Sequence, residues 1–142
     1  MNSRIWDPQG KYQEGFIKEY KYWILEVSFH QHTLGCYIIF ANRNVEKISE
    51  LKGEELSELT KVMSEIENTV TKEFHPQRFN YLQLGNNLKH LHFHGIPRYE
   101  TKKEFGGKIW TDKTFGHPPI WSKKETSREL VKAIKERISP IS

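Results

Sequence analysis

Aromatic and β-branched residues dominate from Tyr20 to Phe29 (YKYWILEVSF) and again from Cys36 to Ala41 (CYIIFA). Runs of this kind predict strands. The polar HQHTLG between them (30–35) contains a glycine and predicts a turn, so the two strands should pair antiparallel. ANRNVEKISELKG (41–53) reads as a loop. The period then changes. Leu56, Leu59, Val62, Met63, Ile66, Val70 and Phe74 recur at helical spacing over residues 53–74. Acidic residues crowd the start of this stretch and Lys72 lies near its end, which suits the helix dipole. His75-Pro76 ends the helix. RFNYLQL (78–84) and LKHLHFHGIPR (88–98) predict two further strands around Gly85-Asn86-Asn87, and Pro97 stops the second ladder. Residues 99–122 have no period, but Phe105, Trp110, Phe115 and Trp121 need somewhere to pack, so an ordered extension is expected. A last helix is expected near 125–138, with Leu130, Val131, Ile134 and Ile138 on one face.

A chain of 142 residues suits one domain. It reads as a lead-in (1–19), a core (20–99), and an extension ending in a helix (100–142). The 36% hydrophobic and 13% aromatic content is globular. Mean hydropathy is −0.74, and no run approaches the roughly 18 apolar residues of a membrane span. The first twenty residues lack the apolar segment of a secretory signal. Cys36 is the single cysteine, which forbids an intrachain disulfide and fits a reducing, cytoplasmic setting. The net charge of +4 favours phosphate-bearing ligands, but it is too small to argue for nucleic acid.

KHLHFHGIPRY (89–99) places three of the seven histidines on alternate residues. On a strand, His90, His92 and His94 would share one face, with Leu91 and Phe93 packing on the core. Three readings compete. A solvent-facing strand that happens to carry histidine is the blandest, and the regular spacing argues against it. In a zinc site, two of these imidazoles would need further ligands, with His30, His32 or His117 as candidates. In nucleophilic catalysis, one imidazole nitrogen attacks phosphorus while the other keeps its proton on an acceptor, and neighbouring donors hold the phosphoryl oxygens.

His90-Leu-His92-Phe-His94-Gly-Ile resembles the signature of the histidine-triad (HIT) family of nucleotide hydrolases and transferases. Gly95 departs from it at a position that is usually apolar. The longer stretch FNYLQLGNNLKHLHFHGIPRY is similar to bacterial members that are diadenosine tetraphosphate hydrolase-like, and a weaker likeness covers about 20–99. The resemblance implies an α+β, HIT-like fold: a twisted antiparallel sheet of about five strands, a long helix packed on it and a C-terminal helix, usually as a homodimer. It implies that His92 attacks the α-phosphate of a dinucleoside polyphosphate or nucleoside phosphoramidate. A nucleotidyl-histidine then forms, and water resolves it to a nucleoside monophosphate. No metal is required, although a divalent metal is compatible with a polyphosphate substrate.

By the same resemblance, His94 contacts phosphoryl oxygens or the leaving group, and His90 orients His92, partly through its backbone carbonyl. Asn86 and, more loosely, Asn80 fall at polar substrate contacts. Asn44 stands where members commonly have histidine. An asparagine can donate a hydrogen bond but cannot carry a proton charge. Phe29, Ile38, Phe40 and Ile48 or Leu51 fall where the base pocket would form, and each also reads as plain core. His30 and His32 read as turn polars and His75 as an exposed cap. Residues 105–121 are expected to cover the substrate mouth, bringing Lys102, Lys103, Lys108 and Lys113 to a polyphosphate. An enzyme is the favoured class. The alternatives are a low-turnover nucleotide-binding module and a zinc site on the His-x-His-x-His strand.

Overall fold

The computed structural model describes residue 10 and residues 12–140. A five-stranded antiparallel sheet is built from β1 (Phe16–Glu19), β2 (Trp23–Val27), β3 (Tyr37–Ala41), β4 (Arg78–Leu82) and β5 (His92–Arg98), in the order β1-β2-β3-β5-β4. The α1 helix (Gly53–Phe74) has the bounds its period predicts, and α2 (Arg128–Ile138) is a shorter version of the expected last helix. The architecture is thus the expected α+β one, with one long helix and a C-terminal helix on the sheet.

Alternation sorts the sheet into two faces. Trp23, Leu25, Val27, Tyr37, Ile39, Ala41 and Phe93 form one buried face. They pack with Leu59, Val62, Ile66, Val70 and Phe74 of α1 and Val131, Ile134 and Ile138 of α2. Full burial of such a side chain contributes about 1.5–3 kcal/mol, far more than helix propensity does. The opposite face carries the histidines. Phe40 lies across from His92, and Ile38 and Leu82 lie across from His94.

Local chemistry sets the ends of α1. The Glu55 carboxylate accepts the Lys52 backbone N–H at 2.8 Å, relieving one unpaired donor of the first turn. The same carboxylate holds Arg43 at 2.7 and 3.0 Å. At the other end His75 turns left-handed (φ 54°), and its N–H closes on the Thr71 carbonyl at 3.0 Å.

Three features depart from the sequence pattern. β1 falls inside the expected lead-in, where FIKE is too short and too polar to signal a strand; it pairs with β2 across a register shift between Phe16 and Lys18. β5 begins at His92, whereas the pattern runs it from residue 88. Leu91 turns instead to the loop beyond β3, donating its N–H to Val45 O at 2.8 Å and accepting from Ala41 N at 3.1 Å. The extension contains a hairpin of β6 (Lys103–Phe105) and β7 (Lys108–Trp110) around Gly106-Gly107, at φ 64° and 72°. A two-residue loop with both residues at positive φ favours a Gly-Gly pair, so this signal was in the sequence. Among the described residues, no helix is long and apolar enough to cross a membrane.

The extension is tied to the end of β5 by Arg98, which is 2% exposed. Its Nε and Nη2 donate to the Asp112 carboxylate at 2.7 and 3.1 Å. Nη1 donates to Asn80 Oδ1 and to the His117 carbonyl, each at 2.7 Å, and Nη2 also donates to the Thr114 carbonyl at 2.8 Å.

The departure at Gly95 has a packing cause. Gly95 faces Tyr37 across the β3–β5 ladder, and a Cβ built there would come within 2.2 Å of the Tyr37 ring carbons. That ring is fully buried, and its hydroxyl lies 2.6 Å from that of Tyr81, which donates to Glu67 at 2.7 Å. Gly95→Ala is expected to lower the unfolding free energy by about 1–3 kcal/mol, as overpacking does. Urea unfolding checks this. In combination with Tyr37→Ala, the two changes should cost less than their sum, because the second removes the clash.

Candidate active site

Two of the three triad histidines are held by backbone carbonyls. His92 Nδ1 lies 2.7 Å from the carbonyl of His90, and His90 Nε2 lies 2.7 Å from the carbonyl of Ala41. A carbonyl only accepts, so each of these nitrogens carries the proton. On a neutral His92 the other nitrogen, Nε2, is left with its lone pair. The His92 side chain is nearly buried, beside Phe40 with ring centroids 5.7 Å apart. The His94 ring stands edge-on to it at 4.9 Å.

The structure brings three further residues to the triad: Trp121, from the segment expected to cover the mouth, and His30 and His32, weighed in the sequence only as zinc ligands or turn polars. Trp121 meets His94 edge to face at 4.9 Å. Its indole stacks on His32 at 3.9 Å and 28°. The His30 ring lies nearly parallel to His32, 6.4 Å away. His32 Nδ1 accepts the Ser122 backbone N–H at 2.8 Å, so in the neutral ring the proton sits on Nε2. His30 and His32 are turn residues as expected, but the turn lies beside β5 and not at a remote edge. Their own His-x-His spacing was the available signal. Burial, and then the neighbouring His30, push His32 down from 6.5 to about 4. His94 is likewise pushed down to about 4 by burial, then by His92, His32 and His30. Both are neutral at pH 7.

The other expected site residues are only partly gathered. Phe40 and Ile38 share the triad face, as stated. Phe29 belongs to the main core on the helix side, edge to face with Tyr12 at 4.9 Å. Ile48 is exposed on a 3-10 turn (Ile48–Glu50). Asn44 and His90 line one surface cleft with Glu46, Lys47 and Glu50. Asn86 is exposed in the β4–β5 loop. Asn80 gives its Oδ1 to Arg98, which occupies that acceptor with a structural bond. The extension does reach the triad, through Trp121. Lys103 and Lys108 instead lie over the rings of Tyr99 and Trp110, at 5.8 and 4.2 Å. His117 contributes only its carbonyl, to Arg98. No three His, Cys, Asp or Glu among the described residues are arranged to hold a metal ion.

The depressed histidines make stability depend on pH. Between 6.5 and about 4 the unfolded chain binds protons that folded His32 and His94 refuse. Stability from this source is therefore lost as pH falls through that window and is constant above it. The melting temperature should fall across this range, and the slope should flatten in His32→Gln and in His94→Gln. Differential scanning calorimetry across the window is the check.

Known proteins place this geometry. The HIT domain family model matches residues 27–101, more than half of the chain. No curated protein sequence matches. Among solved structures, a hypothetical histidine triad nucleotide-binding protein from Sulfolobus tokodaii superposes with a TM-score of 0.67 at 20% identity, covering 87% of this chain and 80% of that one. A Hit-like protein involved in cell-cycle regulation from Bartonella henselae gives 0.66 at 19%, covering 88% and 84%. A HIT family protein from Bacillus anthracis gives 0.58 at 23%, covering 86% and 83%. At these identities the structural likeness speaks for the fold. The family match spans both strands that build the site and all three triad histidines, and the chain belongs to the HIT domain family.

Proposed function

We propose that the protein is a nucleotide hydrolase or nucleotidyl transferase in which His92 is the nucleophile. The observation that carries this reading is the His92 Nδ1–H donated to the His90 carbonyl at 2.7 Å, which leaves Nε2 as the free lone pair. Nε2 forms a bond to the α-phosphorus of a nucleotide. The bond from phosphorus to the leaving oxygen or nitrogen breaks, and its electron pair departs with the leaving group, which takes up a proton. Water then attacks the phosphorus, the nitrogen–phosphorus bond breaks, and a nucleoside monophosphate is released with His92 restored. Positioning and charge neutralisation carry most such transfers. The family resemblance supports dinucleoside polyphosphates and nucleoside phosphoramidates as substrates.

His94 is the donor to phosphoryl oxygens or the leaving group. Neutral in the free protein, it gains proton affinity when a phosphate anion arrives beside it. Ile38 and Phe40 supply apolar walls on the triad face, and Asn86 and Asn44 are polar contacts at its rim. In this mechanism no metal is required, and divalent ions act only as companions of a polyphosphate. The setting is the cytoplasm, where the buried thiol of Cys36 stays reduced. Within the class, a low-turnover binding module remains the competing assignment, and turnover separates the two.

The active unit in this reading is a homodimer. Support comes from β4, an edge strand of the sheet, with Leu84 and Leu88 exposed in the loop that follows it. Sedimentation at micromolar concentration should give twice the chain mass, and a monomer there contradicts the dimer.

With excess protein, chelator and a nucleotide labelled on its α-phosphate, acid-labile label should appear on the wild-type chain after a rapid quench and be absent from His92→Ala. Steady-state turnover of His92→Ala should fall by about 10^3 or more, as for loss of a nucleophile. Wild-type protein that neither takes up label nor releases monophosphate refutes the enzyme reading and leaves the binding module.

A further inference from the structure

We propose that His32 is a positioning residue that holds Trp121 against His94, and that the indole so held is a gate on the leaving-group side that sets which leaving groups the site accepts. This rests on the functional reading above and adds to it two residues outside the triad.

The geometry carries the argument in three steps. First, Trp121 is still 41% exposed, so burial alone does not fix it. What fixes it is a face-to-face stack on His32 at 3.9 Å and the hydrogen bond from Ser122 N–H to His32 Nδ1 at 2.8 Å. One imidazole thus grips two consecutive residues of the extension, by its flat face and by its lone pair. Second, the arrangement is held at a penalty. With Nδ1 used as acceptor, the proton sits on Nε2, and that atom is buried without a partner among the described residues. Phenylalanine would stack without this penalty but would leave the Ser122 N–H without its acceptor. A histidine with one orphaned nitrogen fits a residue kept for the grip. Third, the gripped indole lies edge-on to His94, the donor assigned to the leaving group, at 4.9 Å. It takes space where a bulky leaving group would lie, and it shields His94 from water.

The charged and titratable groups around this contact are few. His30 packs beside His32, and Asp112 and Lys113 line a small cavity with it. His92, His32 and His30 act on His94. With so few charges near, rehydration of His94 dominates the response when the indole leaves.

Two measurements on the full chain test the proposal. The first needs no turnover: the His94 titration is followed by NMR in wild type, Trp121→Ala, His32→Gln and His32→Phe. Moving the indole off His94 readmits water, so its midpoint should rise from about 4 toward 6.5 in Trp121→Ala and in His32→Gln, with His32→Phe in between because it keeps the stack. Trp121 is half exposed, so its truncation spares the fold if His32→Gln does not. Both His32 variants also remove the direct effect of His32 on His94, so the comparison between them decides: a shift in Trp121→Ala with equal midpoints in His32→Gln and His32→Phe overturns the positioning role. No shift in Trp121→Ala overturns the contact itself. The second measurement compares kcat/KM for a dinucleoside polyphosphate and for a nucleoside phosphoramidate whose leaving group is ammonia. The bulky-to-small ratio should rise about tenfold in Trp121→Ala and in His32→Gln, mainly through a lower KM for the bulky substrate. His92-dependent turnover with an unchanged ratio overturns the gate alone. Absence of His92-dependent turnover in wild type overturns the functional reading, and the titration still decides whether His32 holds Trp121.

Discussion

A buried guanidinium decides where the last third of the chain goes. Taking a charge out of water costs several kcal/mol, and a buried pair recovers this only when nearly every donor finds an acceptor. Arg98 meets that condition: its five N–H groups reach both oxygens of Asp112, the Asn80 amide oxygen and the carbonyls of Thr114 and His117. Burial pushes the Asp112 carboxyl up, but the hydrogen bonds from Arg98 and from the Tyr99 and Thr114 backbone more than offset it, and the group stays ionised well below the usual range. Because Arg98 closes the strand that carries His92 and His94, this cluster sets the extension in register with the triad. Trp121, nine residues beyond Asp112, is delivered to His94 from that anchor. The same bonds explain why Asn80, polar and on the triad face, serves the fold.

A second constraint acts at the other end of β5. An intact ladder would have committed the carbonyls of Ala41 and His90 to strand pairing. At Leu91 the backbone leaves that pattern for Val45, and those two carbonyls instead take imidazole N–H groups from His90 and His92. A shortened strand is therefore what fixes the tautomer of the candidate nucleophile. The protein gives up regular sheet at the point where the proposed chemistry needs an acceptor, while Leu91 and Phe93 on either side of His92 both stay in the core.

The sequence made legible whatever depends on period or on local motif. The bounds of α1, the paired strands around residues 30–35 and the shared face of the histidines follow from spacing alone. Phe40 and Ile38 come from the family resemblance, and the register of β3 on β5 puts them opposite His92 and His94. The features missed are those that depend on a long-range partner. FIKE becomes β1 only because β2 offers an edge, and of the two readings of Phe29 the structure bears out plain core. His30 and His32 looked like ordinary turn polars because the residue that gives His32 its role, Trp121, lies about ninety positions away. No local pattern encodes that contact.

Proton supply is the point where the departures of this chain converge. Asn44, where the family resemblance leads one to expect histidine, carries no proton charge to deliver. His94 is desolvated and flanked by His92, His32 and His30, so it is neutral before a nucleotide binds. A site built this way holds no proton ready for the leaving group. In the proposed reaction an anionic substrate would create one, by bringing phosphate charge into a pocket of low dielectric where it raises the proton affinity of His94. The more charge the leaving group carries, the larger this effect. Under the proposed mechanism a polyphosphate leaving group would recruit its own general acid more effectively than an amine does, whereas the indole of Trp121 would work against its size. In the proposed reaction, those two opposing terms, charge favouring the polyphosphate and volume opposing it, would together set substrate preference.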